Sequence, residues 1–262
     1  MALRHVVSLP LTLAAPSLGA CASATGDPAS ETPRPTGSAG ADAPEPSAPG
    51  AARLHAPLGA YVTREVLPGL ASLDPQRRVE LDKVTRYVRA ELAEGAPARL
   101  TFICTQNSRR SHLAQLWASA AATWYGVAGV ETYSGGTEAT AFNPRAVAAL
   151  ERAGFTVARP AGAGHNPRYE VRAGPDLPPA VAFSKVHDEA PNPSEDFVAI
   201  MTCSAADAAC PFIPGGDLRV GIPYDDPKAA DGTPAEAATY DARSRQIATE
   251  MFYVFEAVAN AR

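Results

Sequence analysis

The feature that most constrains this chain is the apolar run at residues 99–104, Arg-Leu-Thr-Phe-Ile-Cys, which stops at a polar loop and passes into a helical pattern. A short apolar run bounded by turn signals reads as a buried strand. Residues 112–124, with Leu113, Leu116 and Trp117 on one side, read as the helix that follows. The same alternation recurs downstream. Residues 130–133 form a second strand ending at Gly135-Gly136. Asn143-Pro144 caps a helix that runs through Val147 and Leu150 and stops at Gly154. Residues 197–202 form a strand ending at Cys203. Thr233-Pro234-Ala235-Glu236 is a capping box opening a long last helix with Ile247, Met251, Val254, Phe255 and Val258. This order predicts an α/β, three-layer fold, a central parallel sheet with helices on both faces. Sites in such sheets form at the carboxyl ends of strands, where Cys104 and Cys203 both lie.

Residues 57–96 are expected to be a helical extension. Asp74 before Pro75 gives an N-cap, Leu81, Val84, Val88 and Leu92 recur at helical spacing, and Gly95 closes the helix. Its expected role is packing. Residues 22–56 are almost all Ala, Pro, Ser, Gly, Thr and acidic residues. They bury too little apolar surface to offset the entropy of ordering, and read as a disordered, partly extended linker. In residues 1–21, Arg4 and His5 precede an apolar stretch too short to span a membrane, as in a secretory signal. It ends Leu18-Gly19-Ala20-Cys21, which resembles the lipobox of bacterial lipoproteins, where the cysteine is lipidated. The expectation is a domain tethered outside the cytoplasm, in contact with the membrane only through a lipid on Cys21. The alternative is an Ala-rich leader and a cytoplasmic domain.

A net charge of -5 without clustered Lys and Arg argues against a nucleic-acid partner. The cysteines are Cys21, Cys104, Cys203 and Cys210. No two stand at C-x-x-C spacing and the histidines are scattered, so neither a zinc site nor a disulfide scaffold is indicated. Individual roles fit them better.

The loop between first strand and helix is Cys104-Thr105-Gln106-Asn107-Ser108-Arg109-Arg110-Ser111. A loop that leaves a strand and enters a helix turns successive N–H groups inward, a nest for an anion at a positive helix end. Arg110 adds a fork that matches two oxygens of a phosphate-like group. The same positive field favours the thiolate of Cys104. Ser111 can donate its hydroxyl to that sulfur, and Asn107 can brace the loop through its amide. Thr105, Gln106, Ser108 and Arg109 complete the oxyanion-binding set, with Arg109 adding charge at the rim. These residues point to a cysteine nucleophile acting on a tetrahedral oxyanion. His112 reads as a surface residue of the helix, and Trp117 and Trp124 as core.

Phe102-Ile-Cys-Thr-Gln-Asn-Ser-Arg-Arg-Ser111, Tyr133-Ser-Gly-Gly136 and Asn143-Pro144 resemble the low-molecular-weight protein tyrosine phosphatase superfamily, nearest to its thioredoxin-coupled arsenate reductases. The resemblance spans residues 97–262. Residues 158–196 look like a Pro-rich insertion with a hairpin at 168–173 and 180–186. Two loop positions depart from the family pattern: Gln106 stands where glycine is usual, and Arg109 replaces a common cysteine.

The resemblance implies a carboxylic acid directly before a proline late in the chain. In Tyr224-Asp225-Asp226-Pro227 the matching residue is Asp226, with Asp225 the alternative; without the resemblance the segment reads as a turn. It also implies a redox pair, Cys203 and Cys210, in Thr202-Cys203-Ser-Ala-Ala-Asp-Ala-Ala-Cys210-Pro211. Three functions follow as expectations. The first is an arsenate reductase in which Cys104, Cys203 and Cys210 relay oxidation to a thioredoxin-like reductant. The second is a phosphatase using Cys104, Arg110 and Asp226 on a phosphoprotein or small phosphate ester. The third is a lipoprotein that binds oxyanions without turnover. Outside the cytoplasm, Cys203 and Cys210 would instead suit a permanent disulfide. No cofactor is implied. Asn107 and Ser134 resemble positions that brace the loop or, in some reductases, hold a cation, but Gln115 replaces the acid there, so no metal is predicted.

Overall fold

Three apolar runs and one polar segment meet as a parallel four-stranded sheet in the computed structural model, which describes residues 50–160, 162, 164–210 and 212–261. The strands are β1 (Ala98–Cys104), β2 (Val130–Gly136), β6 (Phe197–Met201) and β7 (Gly216–Gly221), in the order β2-β1-β6-β7. Register places Cys104 beside Gly136, and Ile103 beside Met201. The carboxyl ends of β1, β2 and β6 therefore share one edge. Cys21 and the lipobox lie outside the described residues.

Alternation along the strands divides two packed layers. Leu100, Phe102, Val198 and Ile200 share the larger buried cluster with Leu113 and Trp117 of α3 (Arg110–Trp124). Leu81, Val84 and Val88 of α2 (Pro75–Ala93), and Ile247, Met251 and Phe255 of α6 (Glu236–Ala259), join the same cluster. On the other face, Ile103, Ala199 and Met201 pack with Ala206 of the short helix α5 (Ser204–Ala209). Helices thus cover both faces, as predicted, though one cover is a single short helix.

Local signals account for several boundaries. Asp74 Oδ1 accepts from Arg77 N at 3.0 Å at the start of α2. Asn143 Oδ1 accepts from Arg145 N at 2.9 Å at the start of α4 (Pro144–Ala153), which Gly154 ends with φ 105°. The last helix departs from expectation. It begins at Glu236, two residues beyond Pro234, and the Glu236 carboxylate accepts from Gly232 N at 2.6 Å. Thr233 and Pro234 form a turn instead of its first residues.

Residues 50–56, assigned to the linker by composition, are folded. A 3-10 turn spans Ala51–Arg53, α1 begins at Ala56 (Ala56–Tyr61), and Leu54 lies in the core. The extension is likewise part of the core, through Leu58, Val62, Val66 and α2.

The insertion contains the expected hairpin, with β4 (Tyr169–Arg172) antiparallel to β5 (Ala180–Ala182). A strand not foreseen, β3 (Thr156–Ala158), pairs with β4 to make a three-stranded sheet. The chain then returns to the main sheet. Gly136 N donates to Lys185 O and His187 N to Gly136 O, both at 2.9 Å. The insertion thus rejoins the fold beside the loop that follows β1.

Candidate active site

The loop after β1 is held by its carbonyls. Cys104 O accepts from Thr137 N at 3.1 Å, Thr105 O from Glu138 N at 2.9 Å, and Ser108 O from Asn143 N at 2.8 Å. Gln106 O accepts from both Thr140 Oγ1 and Ser184 Oγ at 3.0 Å. Among the described residues, no N–H of residues 105–109 donates to a protein acceptor. Buried N–H groups are rarely left without a partner. A loop with its oxygens bound outward and its N–H groups free is a nest for an anion.

Asn107 makes this curvature. Its φ is 42°, a left-handed conformation that asparagine tolerates better than most residues. Its amide Nδ2 donates to Ser111 Oγ at 2.8 Å, and its Oδ1 accepts from Lys185 N at 2.9 Å. Ser111 Oγ in turn lies 3.2 Å from Cys104 Sγ. Because Asn107 already supplies a proton to Ser111 Oγ, the serine O–H is left to donate to the sulfur.

Cys104, buried at the end of β1, forms the floor of a cavity of about 220 Å³. Thr105, Gln106 and Ser108 of the loop line it, together with Arg109, Arg110, Asp226 and Lys228. Arg110 Nη1 donates to Tyr224 O at 3.0 Å, and Nη2 to Asp226 Oδ2 at 2.9 Å. Its buried Nε has no protein partner among the described residues. Asp226 Oδ1 also accepts from Lys228 N at 3.0 Å. Asp225 is 97% exposed at the side chain and pairs with Arg243, so of the two acids only Asp226 lines the cavity.

Two side chains sit deeper than their positions suggest. Arg109 was expected at the rim but is buried, because Tyr240 of α6 lies under it and accepts from its Nε at 3.0 Å. His112 was expected at the surface of α3 but has no exposed surface. Its ring stacks on Phe142 with centroids 4.1 Å apart. Burial, and then the charge of Lys185, push its pKa down to about 3. Lys185 is itself buried, which pulls its pKa down to about 8. Trp117 and Trp124 are core, as expected. Gln115 Nε2 donates to Thr132 O at 3.0 Å, and Ser134 accepts from Asn192 through its carbonyl at 3.0 Å.

Cys203 follows β6 and heads α5, its Sγ accepting from Ala206 N at 3.4 Å. Thr105 Oγ1 of the loop lies 3.4 Å from the same sulfur. Cys104 and Cys203 share the smaller buried cluster, and Cys210 packs against it. All three thiols are free.

Residues 99–168 match the model of the low molecular weight phosphotyrosine protein phosphatase family. The match covers strand β1 from Arg99, the loop after it and the elements from α3 to β3. The chain is also similar to an arsenate reductase of Halalkalibacterium halodurans, 29% identical over 137 residues, which cover 52% of this chain and 78% of the relative. Among solved structures it is similar to a low-molecular-weight protein tyrosine phosphatase from T. tengcongensis, at 17% identity and TM-score 0.41, covering 61% of this chain and 98% of that one. An arginine phosphatase from Geobacillus stearothermophilus is similar at 16% identity and TM-score 0.41, covering 63% and 95%. The family match includes Cys104 and Arg110 and ends before Cys203, Cys210 and Asp226.

Several residues of the site carry no recognisable signal in the sequence. Thr140, Ser184 and Lys185 brace the loop, Tyr224 O holds Arg110, Lys228 lines the cavity, and Tyr240 holds Arg109. Thr140, Ser184, Lys185, Tyr224 and Tyr240 act through contacts distant in sequence, which no local pattern announces.

Proposed function

We propose that this chain is a member of the low molecular weight phosphotyrosine protein phosphatase superfamily and an arsenate reductase-type enzyme with a relay from Cys104 to Cys203 to Cys210. The observation that carries this reading is the gathering of all three cysteines around one buried apolar cluster beside the anion nest. The similarity to an arsenate reductase supports it. So does the cavity lining, in which no aromatic side chain is found. Its walls suit a free oxyanion better than an aromatic ester.

In the proposed cycle, the Cys104 thiolate attacks arsenic of bound arsenate, forming a sulfur–arsenic bond, and a hydroxyl group takes up a proton from solvent and leaves as water. Cys203, as thiolate, attacks Cys104 Sγ. That bond's electron pair passes to arsenic, which leaves as arsenite, and a Cys104–Cys203 disulfide remains. Cys210 then attacks Cys203 and frees Cys104, each step being thiol–disulfide exchange. A thioredoxin-like dithiol reduces the Cys203–Cys210 disulfide. The six-residue helix α5 (Ser204–Ala209) stands between the two cysteines, and six helical residues rise about 9 Å, whereas disulfide-bonded Cα atoms lie within about 7 Å. In the proposed third step α5 gives way so that Cys210 can reach Cys203.

The second reading is phosphatase action, favoured by Asp226, whose carboxylate lines the cavity and accepts from Arg110 Nη2 at 2.9 Å. There Asp226 protonates the leaving oxygen and then activates water. Assays of arsenite formation and of p-nitrophenyl phosphate hydrolysis separate the readings. For the reductase, Cys203→Ser abolishes arsenite formation and Cys104→Ser abolishes both activities. Unchanged reduction by Cys203→Ser overturns the relay. Turnover of neither substrate leaves a non-enzymatic oxyanion binder.

We also propose that Cys21 carries a lipid that tethers the domain outside the cytoplasm, on the strength of Leu18-Gly19-Ala20-Cys21. Mass spectrometry of the mature protein tests this: a diacylglyceryl-modified Cys21 at the N-terminus is expected, and an intact Met1 overturns it.

A further inference from the structure

Charge at the cavity is out of balance. Arg109, Arg110 and Lys228 line it, against the carboxylate of Asp226 alone. Arg110 Nη2 lies 2.9 Å from Asp226 Oδ2, and Arg109 Nη1 lies 3.7 Å from that same oxygen. One carboxylate thus serves two guanidinium groups, and the closer one is Arg110. Lys228 is exposed and its charge is screened by water. Arg109 has no such relief, since its side chain is 9% exposed.

What fixes Arg109 does not neutralise it. Its Nε donates to the hydroxyl of buried Tyr240 at 3.0 Å, and that hydroxyl donates to Asp231 Oδ1 at 2.8 Å. Burial and the Asp231 hydrogen bond push the Tyr240 pKa up to about 12, so the phenol stays neutral. A buried cation held by a neutral group, and sharing with Arg110 a carboxylate 3.7 Å away, favours an added anion nearby. Beside it lie the free N–H groups of the loop and the unpartnered Arg110 Nε.

We propose that Arg109 is a second anion-binding guanidinium positioned by Tyr240, and that it makes the site select tetrahedral anions carrying two charges over those carrying one. The inference rests on the oxyanion site proposed above and not on the choice between reductase and phosphatase. For a reductase it has a direct use: doubly charged arsenate is held, while arsenite, uncharged at neutral pH, is released. Tyr240 is a positioning residue, since it acts on the anion through Arg109.

Sulfate and perchlorate test this, being tetrahedral at neutral pH with two charges and one. Their affinities are measured by calorimetry on the full chain, for wild type, Arg109→Met, Arg109→Lys and Tyr240→Phe. Wild type is expected to bind sulfate at least about tenfold more tightly than perchlorate, one tenfold step being a single charged hydrogen bond. Arg109→Met removes most of that ratio. Arg109→Lys restores part of it, and Tyr240→Phe lowers it by about threefold through a loosened guanidinium. A merely structural role would weaken both anions alike. Should Arg109→Met not fold, Tyr240→Phe decides by the same ratio. An unchanged ratio in the variants overturns the role of Arg109 and leaves the oxyanion site standing. A wild type that binds neither anion overturns the oxyanion site itself.

Discussion

Arg110 is held by the backbone of Tyr224, whose carbonyl accepts from Nη1 at 3.0 Å. The phenol of the same tyrosine donates to Glu250 Oε2 at 2.7 Å, and Arg77 Nε donates to that oxygen at 2.9 Å. Arg77 also lies over the Tyr224 ring, 4.8 Å from its centroid. A helix of the N-terminal extension thereby reaches the segment that carries both Tyr224 and Asp226. Arg77→Met leaves the Glu250 carboxylate buried with its cation gone, and is expected to cost about 3 kcal/mol. Tyr224→Phe, which keeps ring and carbonyl, is expected to cost about 1 kcal/mol. Urea unfolding compares the two, and equal losses would sink the ion-pair argument.

Ser111→Ala removes the hydroxyl 3.2 Å from Cys104 Sγ and the acceptor of the Asn107 amide. A hydrogen bond to a charged group is worth roughly 1.5–3 kcal/mol, so kcat is expected to fall about ten- to a hundredfold. Initial rates at saturating substrate check this, and a loss confined to KM would contradict the sulfur contact.

Gly136→Ala is expected to disturb the loop more than the sheet. A Cβ there overlaps the Glu138 carbonyl oxygen and stands 2.7 Å from Thr105 O and 2.8 Å from Asn107 N. These are backbone atoms and cannot swing aside. Overpacking of this kind costs about 1–3 kcal/mol. Unfolding and anion affinity measured side by side should show the loop-bound anion lost first; full affinity would mean the loop absorbs a methyl group freely.

His112 should set part of the acid limit of stability. Burial and Lys185 hold its folded pKa near 3, below its ordinary 6.5. As pH falls from 6.5 to 3 the unfolded chain takes up a proton that the folded chain refuses, and stability falls. The difference approaches the order of 4 kcal/mol near pH 3. His112→Phe keeps a ring against Phe142 and removes this dependence, so the gap between variant and wild type widens as pH drops. A constant gap in chemical denaturation from pH 7 to 4 would exclude it.

What the sequence made legible was local. Asp74-Pro75 and Asn143-Pro144 each cap a helix within three residues, and Gly154 ends one in its left-handed conformation. The buried strands β1 and β6 are plain in their unbroken apolar runs. β7 escaped notice because Gly216, Asp217, Arg219 and Gly221 hide its alternation, with Val220 alone fully buried. α5 escaped as an alanine-rich piece without periodicity. At the site, Cys104, Arg110 and Ser111 lie close in sequence and declare themselves together. The burial of Arg109 depends on Tyr240, 131 residues away, and that of His112 on a ring from another segment.

The braces of the nucleophile loop have one more consequence. Ser184 and Lys185 reach Gln106 and Asn107 across 78 residues of chain. During synthesis Cys104 is therefore made long before the groups that lock its loop, and closing so long a connection is slow compared with forming a local helix. The anion pocket is thus assembled late. Until residue 185 has emerged and docked, Cys104 stands in an open loop, reachable by oxidants and stray thiols.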